Sequence, residues 1–329
     1  MRPFTYHRPA TSDDAIAAIG AEKEARFLAG GTNLIDLMKM GVEHPARLID
    51  ITRLPLASIE ERQGGLRIGA MVRNSDAANH ALIRERYPVL SEALLAGASP
   101  QLRNLASMGG NLMQRTRCFY FYDPSYSECN KRVPGSGCAA LSGYNRIHAI
   151  LGASEQCIAT NPSDMSVALA ALDAVVQVKG PRGERSIPIL DLHRLPGNTP
   201  QQDTNLRPGE LITAIDLPAL AWARRSHYLK VRDRNSYAFA LVSVAALVDM
   251  DTDGTIRQAR IALGGVAHKP WRIPQAEQLL VGKKPGDAAY HALADALLRG
   301  ARPHRNNAFK VELARRSIIR ALTTVAAMA

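Results

Sequence analysis

The pattern of apolar and polar positions predicts an N-terminal α/β unit. Short apolar stretches typical of strands alternate with segments in which apolar residues recur every three to four positions, as on one face of a helix. The predicted strands are residues 4–7, 26–28 and 47–51. One predicted helix begins at an N-cap, Ser12, and runs to about Gly20, and a second helix follows Asn33.

A second unit begins near Leu54 and mixes strands with helices. Its predicted strands are residues 66–72, 174–178 and 211–217. Its predicted helices are a segment capped by Ser75, residues 88–96 and residues 164–172. Pro-Arg-Gly at residues 181–183 predicts a hairpin turn after the second of these strands.

A third unit begins near His227 and places its strands before its helices. The predicted strands are residues 228–231, 239–250 and 256–263. The predicted helices are residues 274–281, 287–299 and 306–326. The chain has no internal repeat and no low-complexity segment, so the pattern predicts an α+β protein of three units.

The net charge of +11 first suggests a nucleic-acid partner. No helix-turn-helix, zinc-finger or RNA-binding signature is present, however, and aromatic residues, which stack on bases, make up only 5% of the chain. We therefore expect no nucleic-acid binding and assign the charge to solubility or to acidic partner subunits. No apolar run approaches the ~20 residues that cross a bilayer. Because the first residues also lack an apolar h-region, we expect no membrane insertion and no export signal in the chain itself.

Two glycine-rich loops are candidates for phosphate binding. Ala-Gly-Gly-Thr-Asn at residues 29–33 lies between a predicted strand and a predicted helix, and Ser-Met-Gly-Gly-Asn occupies residues 107–111. Glycine permits positive φ and close approach of the backbone, and N–H groups at the start of a helix face an anion. One Gly-Gly pair alone favours a tight turn without a ligand, but two such loops favour a large dinucleotide. The spacing is not the Gly-x-Gly-x-x-Gly of NAD-binding Rossmann folds.

Asp164, at the end of Asn-Pro-Ser-Asp, has two compatible roles. Either Ser163 or Asp164 can cap the helix that follows. The carboxylate of Asp164 can also accept hydrogen bonds from the hydroxyl groups of a ribose or ribityl chain.

The four cysteines of the chain, Cys118, Cys129, Cys138 and Cys157, lie in one segment. Random placement would put four cysteines into one window of about 40 residues in under ~1% of chains. Two disulfides are disfavoured in a chain that is expected to fold in a reducing compartment. Structural zinc prefers closer Cys-x2–4-Cys pairs, whereas an iron–sulfur cluster tolerates longer loops. The spacing alone leaves iron–sulfur, zinc, and disulfides or free thiols open.

The surroundings of the cysteines suit a cluster. The glycine-rich residues 134–137 would let a loop wrap a compact inorganic cube, and Arg117, Lys131 and Arg132 would offset the negative charge of four thiolates and the cluster. His148 and His268 are isolated histidines, for which we expect structural roles.

The two glycine loops and the C-terminal unit resemble those of a known family. Residues 26–34, 107–111 and 162–164 resemble the FAD-binding motifs of the medium subunit of molybdenum hydroxylases, the xanthine dehydrogenase family. Residues 263–277 resemble part of the C-terminal domain of the carbon monoxide dehydrogenase flavoprotein. The resemblance covers nearly the whole chain.

The resemblance implies an α+β fold in three parts. A two-part FAD-binding domain of the vanillyl-alcohol-oxidase/PCMH type would occupy residues 1–53 and 54–222, and a C-terminal α+β domain like that of the carbon monoxide dehydrogenase flavoprotein would occupy residues 223–329.

Residues 112–162 depart from most of this family. Most medium subunits pass almost directly from Gly-Gly-Asn to Ser-Asp, whereas here a long segment with all four cysteines intervenes. It resembles the subset whose FAD subunit carries an extra [4Fe-4S] cluster. Residues 116–118, 134–140 and 267–272 are most similar to the FAD-binding subunit of bacterial periplasmic aldehyde oxidoreductases. The resemblance implies an insertion at about residues 115–160 in which Cys118, Cys129, Cys138 and Cys157 bind [4Fe-4S].

The resemblance also assigns FAD contacts. The backbone of the first loop would hold the pyrophosphate, through Arg26, Phe27, Leu28, Ala29, Gly30, Gly31, Thr32, Asn33 and Leu34. A second wall would consist of Ser107, Gly110 and Asn111. Asp164 matches an aspartate on the FAD sugar chain, and Ile212 and Lys230 align with positions that contact the flavin.

The function implied is electron transfer within a heterotrimer. A molybdenum-cofactor large subunit would oxidise an aldehyde, a [2Fe-2S] small subunit would pass the electrons on, and this chain would deliver them through FAD to an external acceptor. The chain offers no molybdopterin site and no base–nucleophile constellation, so we expect no catalytic residue in it. The alternatives are a β-subunit like that of 4-hydroxybenzoyl-CoA reductase, a zinc-stabilised assembly module without a redox role, and a stand-alone flavin reductase. The resemblance places the protein in the periplasm by co-export with a signal-bearing partner, with the cytoplasm as the alternative.

Overall fold

The computed structural model describes residues 1–328, and its N-terminal unit is a three-stranded parallel sheet. The central strand β3 pairs in parallel with both β1 and β2, so helical crossovers connect the strands. The elements are β1 (Thr5–His7), α1 (Ser12–Gly20), β2 (Ala25–Leu28), α2 (Leu34–Lys39) and β3 (Arg47–Asp50). The predicted cap Ser12 is wrong by one residue, because Thr11 accepts the hydrogen bond from the Asp14 N–H at 3.1 Å.

The second unit is built on a five-stranded antiparallel sheet of order β4-β5-β8-β6-β7. Its strands are β4 (Ile59–Arg62), β5 (Gly65–Gly69), β6 (Val175–Gly180), β7 (Gly183–Pro188) and β8 (Leu211–Leu217). The predicted turn at residues 181–183 joins β6 to β7, with Gly183 at φ 95°.

Eight helices accompany this sheet within residues 1–328. They are α3 (Asn74–Asn79), α4 (Ala81–Arg86), α5 (Pro88–Ala96), α6 (Pro100–Arg103), α7 (Met108–Leu112), α8 (Phe119–Tyr122), α9 (Asp164–Ala171) and α10 (Ile189–Leu192). The predicted cap Ser75 is wrong: it lies inside α3, which Arg73 precedes without a side-chain cap.

The third unit is a three-stranded antiparallel sheet followed by helices. Its elements are β9 (Ser226–Val231), β10 (Val242–Met250), β11 (Ile256–Gly264), α11 (Pro274–Glu277), α12 (Asp287–Leu298) and α13 (Phe309–Ala326), and a short 3-10 turn, Ala221–Arg224, precedes them. The helix predicted at 274–281 ends early, at Glu277.

Strand β10 is buried on both faces and joins the second and third units. Ala245 and Leu247 belong to the core that α5, α9 and the five-stranded sheet share, whereas Val244 and Ala246 face α12 and α13. A strand covered on both sides reads as a continuous apolar run rather than an alternating one, which is the pattern of β10. No helix within residues 1–328 has the length and apolar character needed to span a bilayer. The domain limits at 53/54 and 222/223 stay predictions.

Candidate cofactor site

The first glycine loop leaves β2 and enters α2. Gly31 has φ 73°, a left-handed conformation that favours glycine. Gly30 is required for another reason: a Cβ at Gly30 would overlap the carbonyl group of Leu105, lying 2.6 Å from its carbon atom. The loop therefore presses against the chain just before the second glycine loop.

The second glycine loop forms the start of α7. The Ser107 hydroxyl caps this helix by accepting a hydrogen bond from the Gly110 N–H at 3.2 Å. A Cβ at Gly110 would lie 3.8 Å from the Ala29 Cβ, and one at Gly109 would lie 3.0 Å from the Ala70 Cβ. The structure thus brings the two loops side by side, which is the arrangement that a shared pyrophosphate requires.

Asn33 ties the first loop to the cysteine-bearing segment. Its Oδ1 accepts a hydrogen bond from the Arg115 N–H at 2.8 Å, and its Nδ2 donates to the Tyr122 hydroxyl at 3.0 Å. The Asn33 side chain is therefore already engaged, and any contact that it makes with a phosphate would come from its backbone.

The second loop is linked to Asp164 through Ser163. The Ser163 hydroxyl donates to Asn111 Oδ1 at 2.7 Å and accepts from the Ser166 N–H at 3.0 Å. Ser163 is thus the N-cap of α9, so the Asp164 carboxylate is not needed as a cap.

Asp164 is the centre of a buried charged network. Its Oδ2 pairs with Lys230 Nζ at 2.8 Å, and its Oδ1 accepts from the Tyr228 hydroxyl at 2.7 Å. The side chains of Asp164 and Lys230 are 8% and 4% exposed. Burial, with the Asp164 charge beside it, raises the pKa of Tyr228 well above its usual range, so this hydroxyl remains a donor. Tyr228 was not predicted from the sequence, because a strand tyrosine belongs to no recognisable motif.

Ile212 lies within the five-stranded sheet of the second unit. It lies on β8, pairs with Val178 of β6 and is buried in the core of the second unit. Strand β8 runs beside α7, and the contact of Ile212 with the flavin stays a prediction.

The four cysteines converge although the sequence spreads them widely. Cys129 and Cys138 face each other across an isolated antiparallel bridge, and Cys157 closes a turn with Ser154. All four belong to or pack against one apolar cluster that also contains Phe121. All four are free thiols.

Burial governs the ionisation of these thiols. It raises the pKa of Cys118 to about 12, with Cys157 and Cys129 adding to the shift, and the pKa of Cys157 to about 11, with Lys131 opposing the shift. A metal would have to displace these protons, as thiolate ligands require. Among residues 1–328, no three His, Cys, Asp or Glu side chains are arranged to hold a metal ion, so the [4Fe-4S] ligand set stays a prediction.

His148 contacts the cysteine group, which sequence reasoning did not foresee. Its Nε2 lies 3.1 Å from Cys118 Sγ, and burial lowers its pKa to about 4, so the imidazole is neutral at pH 7. The contact spans 30 positions of the chain, and no local signal marks it.

The three cations near the cysteines have separate partners. Lys131 is buried, pairs with Asp203 and donates to the Pro200 carbonyl oxygen at 2.7 Å. Arg132 donates to backbone carbonyl oxygens around α8. Arg117 instead lies over the rings of Tyr122 and Phe239.

A narrow cavity lies beside Asp164, at the junction of the second and third units. Its walls come from the end of the cysteine segment, from the loop before β10 and from the end of β11. The residues include Arg117, Ile147, Asn161, Asp164, Phe239, Ser243, Gly264 and Gly265.

Comparison with known families matches almost the whole chain. Residues 2–220 match the model of the FAD-binding domain in molybdopterin dehydrogenase, and residues 227–325 match that of the CO dehydrogenase flavoprotein C-terminal domain.

Individual relatives agree with these matches. The chain is 52% identical to the aldehyde oxidoreductase FAD-binding subunit PaoB of Escherichia coli K12 over 332 residues, covering 100% of both chains. It is 27% identical to the glyceraldehyde dehydrogenase medium chain of Sulfolobus acidocaldarius, covering 97% of this chain and 95% of that one. A solved structure of carbon monoxide dehydrogenase from Hydrogenophaga pseudoflava matches with a TM-score of 0.76 and 27% identity, over 98% of this chain and 97% of that one. The α+β fold with an FAD-binding part and a flavoprotein C-terminal domain is thereby confirmed.

Proposed function

Because the chain belongs to the FAD-binding medium subunits of the molybdenum hydroxylase family, we propose that it carries electrons through FAD and a [4Fe-4S] cluster to an external acceptor. The complex that it serves is an oxidoreductase of the aldehyde oxidoreductase type. One observation carries the two-cofactor proposal. Arg117 lines the cavity that contains Asp164, and the next residue, Cys118, belongs to the cysteine group. One peptide bond therefore separates the two candidate sites.

The residues of the candidate FAD site carry the groups that are needed to bind FAD. The adjoining loops offer backbone N–H groups to a pyrophosphate, and Asp164 uses only one acceptor position on each oxygen for Tyr228 and Lys230. A carboxylate has about four such positions, so Asp164 can also accept from the hydroxyls of the FAD sugar chain. Bound FAD would supply a group that takes up two electrons and returns them singly or in pairs.

The donor atoms of the cysteine group are of the kind that binds an iron–sulfur cluster. Cys118, Cys129, Cys138 and Cys157 would provide four thiolates, the usual ligands of [4Fe-4S]. Their apolar surroundings would exclude water, and Lys131, which opposes the shift in the Cys157 pKa, would offset part of the negative charge. Such a cluster would supply one-electron transfer beside the flavin.

The partners that we propose are a molybdenum-cofactor large subunit and a [2Fe-2S] small subunit, forming a heterotrimer. Support comes from the relatives, which are named as medium chains of dehydrogenases. The net charge of +11 suits acidic faces on such partners. We also propose a periplasmic location through co-export with a signal-bearing partner.

Co-purification of the chain with the products of neighbouring genes tests the proposal. We expect a complex with flavin absorption bands, iron beyond that of the [2Fe-2S] centres, and an additional EPR signal on reduction. Flavin without the extra iron would remove the cluster from the proposal, and a protein that contains zinc but neither flavin nor iron would establish the assembly-module alternative.

Lys230→Ala is expected to lower the FAD content of the complex without changing which aldehydes it oxidises. Removing one partner of a buried ion pair costs about 3–5 kcal/mol, because the Asp164 charge would stay buried and unpaired. Flavin-to-protein ratio and aldehyde preference are the measurements. Lys179→Ala, which breaks a pair with the 75%-exposed Asp13, is the matched control and should retain FAD. An altered aldehyde preference with full FAD content would contradict a pure electron-transfer role.

A further inference from the structure

Arg117 is a half-buried cation on the wall of the cavity that Asp164 also lines. Its guanidinium lies 5.5 Å from the ring centre of Tyr122 and 5.2 Å from that of Phe239, and it donates to the Arg115 carbonyl oxygen. These contacts hold the guanidinium at the cavity wall.

No carboxylate of residues 1–328 lies within ion-pair distance of Arg117. Its neighbour Arg115, in contrast, pairs with both Glu43 and Asp203. Arg117 is half-buried and its guanidinium stays charged, so a ligand of opposite charge would be stabilised beside it. The position therefore calls for an anionic or strongly polar ligand.

The cavity is linked to the second glycine loop through Ser163. Asn111 of the second loop bonds to Ser163, the residue before Asp164, and Asp164 and Arg117 line the same cavity. The far wall is Gly264 and Gly265 of the third unit. A sugar chain that runs past Asp164 would bring the ring attached to it to the junction of the two units.

We infer that Arg117 faces the isoalloxazine ring of FAD and stabilises the negative charge that this ring gains on reduction. The inference rests on the proposed FAD site. Uptake of two electrons and one proton leaves the ring with one negative charge, and the partner subunits of the proposed complex supply the electrons. A fixed cation nearby favours that reduced form over the neutral oxidised form. Arg117 belongs to the cysteine-bearing insertion, so this segment would adjust the flavin itself.

The test is the two-electron midpoint potential of the flavin in the purified complex. Arg117→Gln should keep most of the FAD but lower the preference for reduced flavin at least tenfold, which is about 30 mV for a two-electron couple. Arg117→Lys, which keeps the charge, should restore most of the potential. Arg117→Met, whose unbranched chain can still pack between Tyr122 and Phe239, replaces the glutamine variant if that one does not assemble.

Arg146→Gln is the matched control, because Arg146 lies in the same insertion but pairs at the surface with Asp233. It should leave the potential unchanged. An unchanged potential in a neutral Arg117 variant with full FAD would overturn the inference. If both the neutral and the lysine variants lost FAD while the remaining flavin kept its potential, Arg117 would contact another part of FAD. The inference would then be wrong. A wild-type complex without FAD would instead defeat the proposed function.

Discussion

Gly30→Val is expected to abolish retention of FAD while leaving the iron of the complex largely intact. A Cβ at this position would overlap the backbone carbonyl group of Leu105, and backbone cannot move aside as a flexible side chain can. The two glycine loops would have to separate, and the shared surface for the pyrophosphate would be lost. The measurements are the flavin-to-protein ratio and iron content of the purified complex.

Gly20→Val is the matched control for this substitution. Gly20 ends α1, and a Cβ there would meet no atom within 4 Å, so the control should keep FAD. Stoichiometric FAD in Gly30→Val would show that this loop is not the phosphate cradle. The two glycines of the loop are needed for different reasons: Gly31 has positive φ, whereas Gly30 is constrained by Leu105, just before the second loop.

Local patterns predicted the parts of the fold that local forces determine. The apolar run of β10 and the helix Pro88–Ala96 were predicted because burial imposes a visible pattern on consecutive residues. Strand β4, Ile59–Arg62, was missed because three of its four residues are exposed and charged at a sheet edge.

Sequence patterns did not predict the contacts between residues that are far apart along the chain. The bonds of Asp164 to Tyr228 and Lys230 join residues 64 and 66 positions apart, and that of Asn33 to Tyr122 spans 89. The resemblance supplied Asp164 and Lys230 as separate positions, and only the fold shows that they form one ion pair. The same holds for His148 beside Cys118.

Replacement of any one of the four cysteines by serine is expected to lower the iron content by up to about four atoms per trimer, leaving the [2Fe-2S] centres of the partner in place. The chain has no fifth cysteine to substitute. Serine is a poor replacement, because a cluster binds to thiolate sulfur rather than to a neutral hydroxyl. Iron analysis and the EPR spectrum of the reduced complex measure the loss. Val133→Ser, at an exposed position of the same segment, is the control and should keep full iron.

The four variants should differ in their effect on the flavin. Cys118 immediately precedes α8, whose Tyr122 hydroxyl bonds to Asn33 of the first glycine loop, so Cys118→Ser should also reduce FAD content. Cys138 is less buried than the other three cysteines and has no such connection, so Cys138→Ser should lose iron with the smallest loss of FAD. Unchanged iron and an unchanged EPR spectrum in one variant would remove that cysteine from the ligand set. The same result in all four variants would refute the cluster proposal. The insertion would then have only a structural role, supporting the first loop.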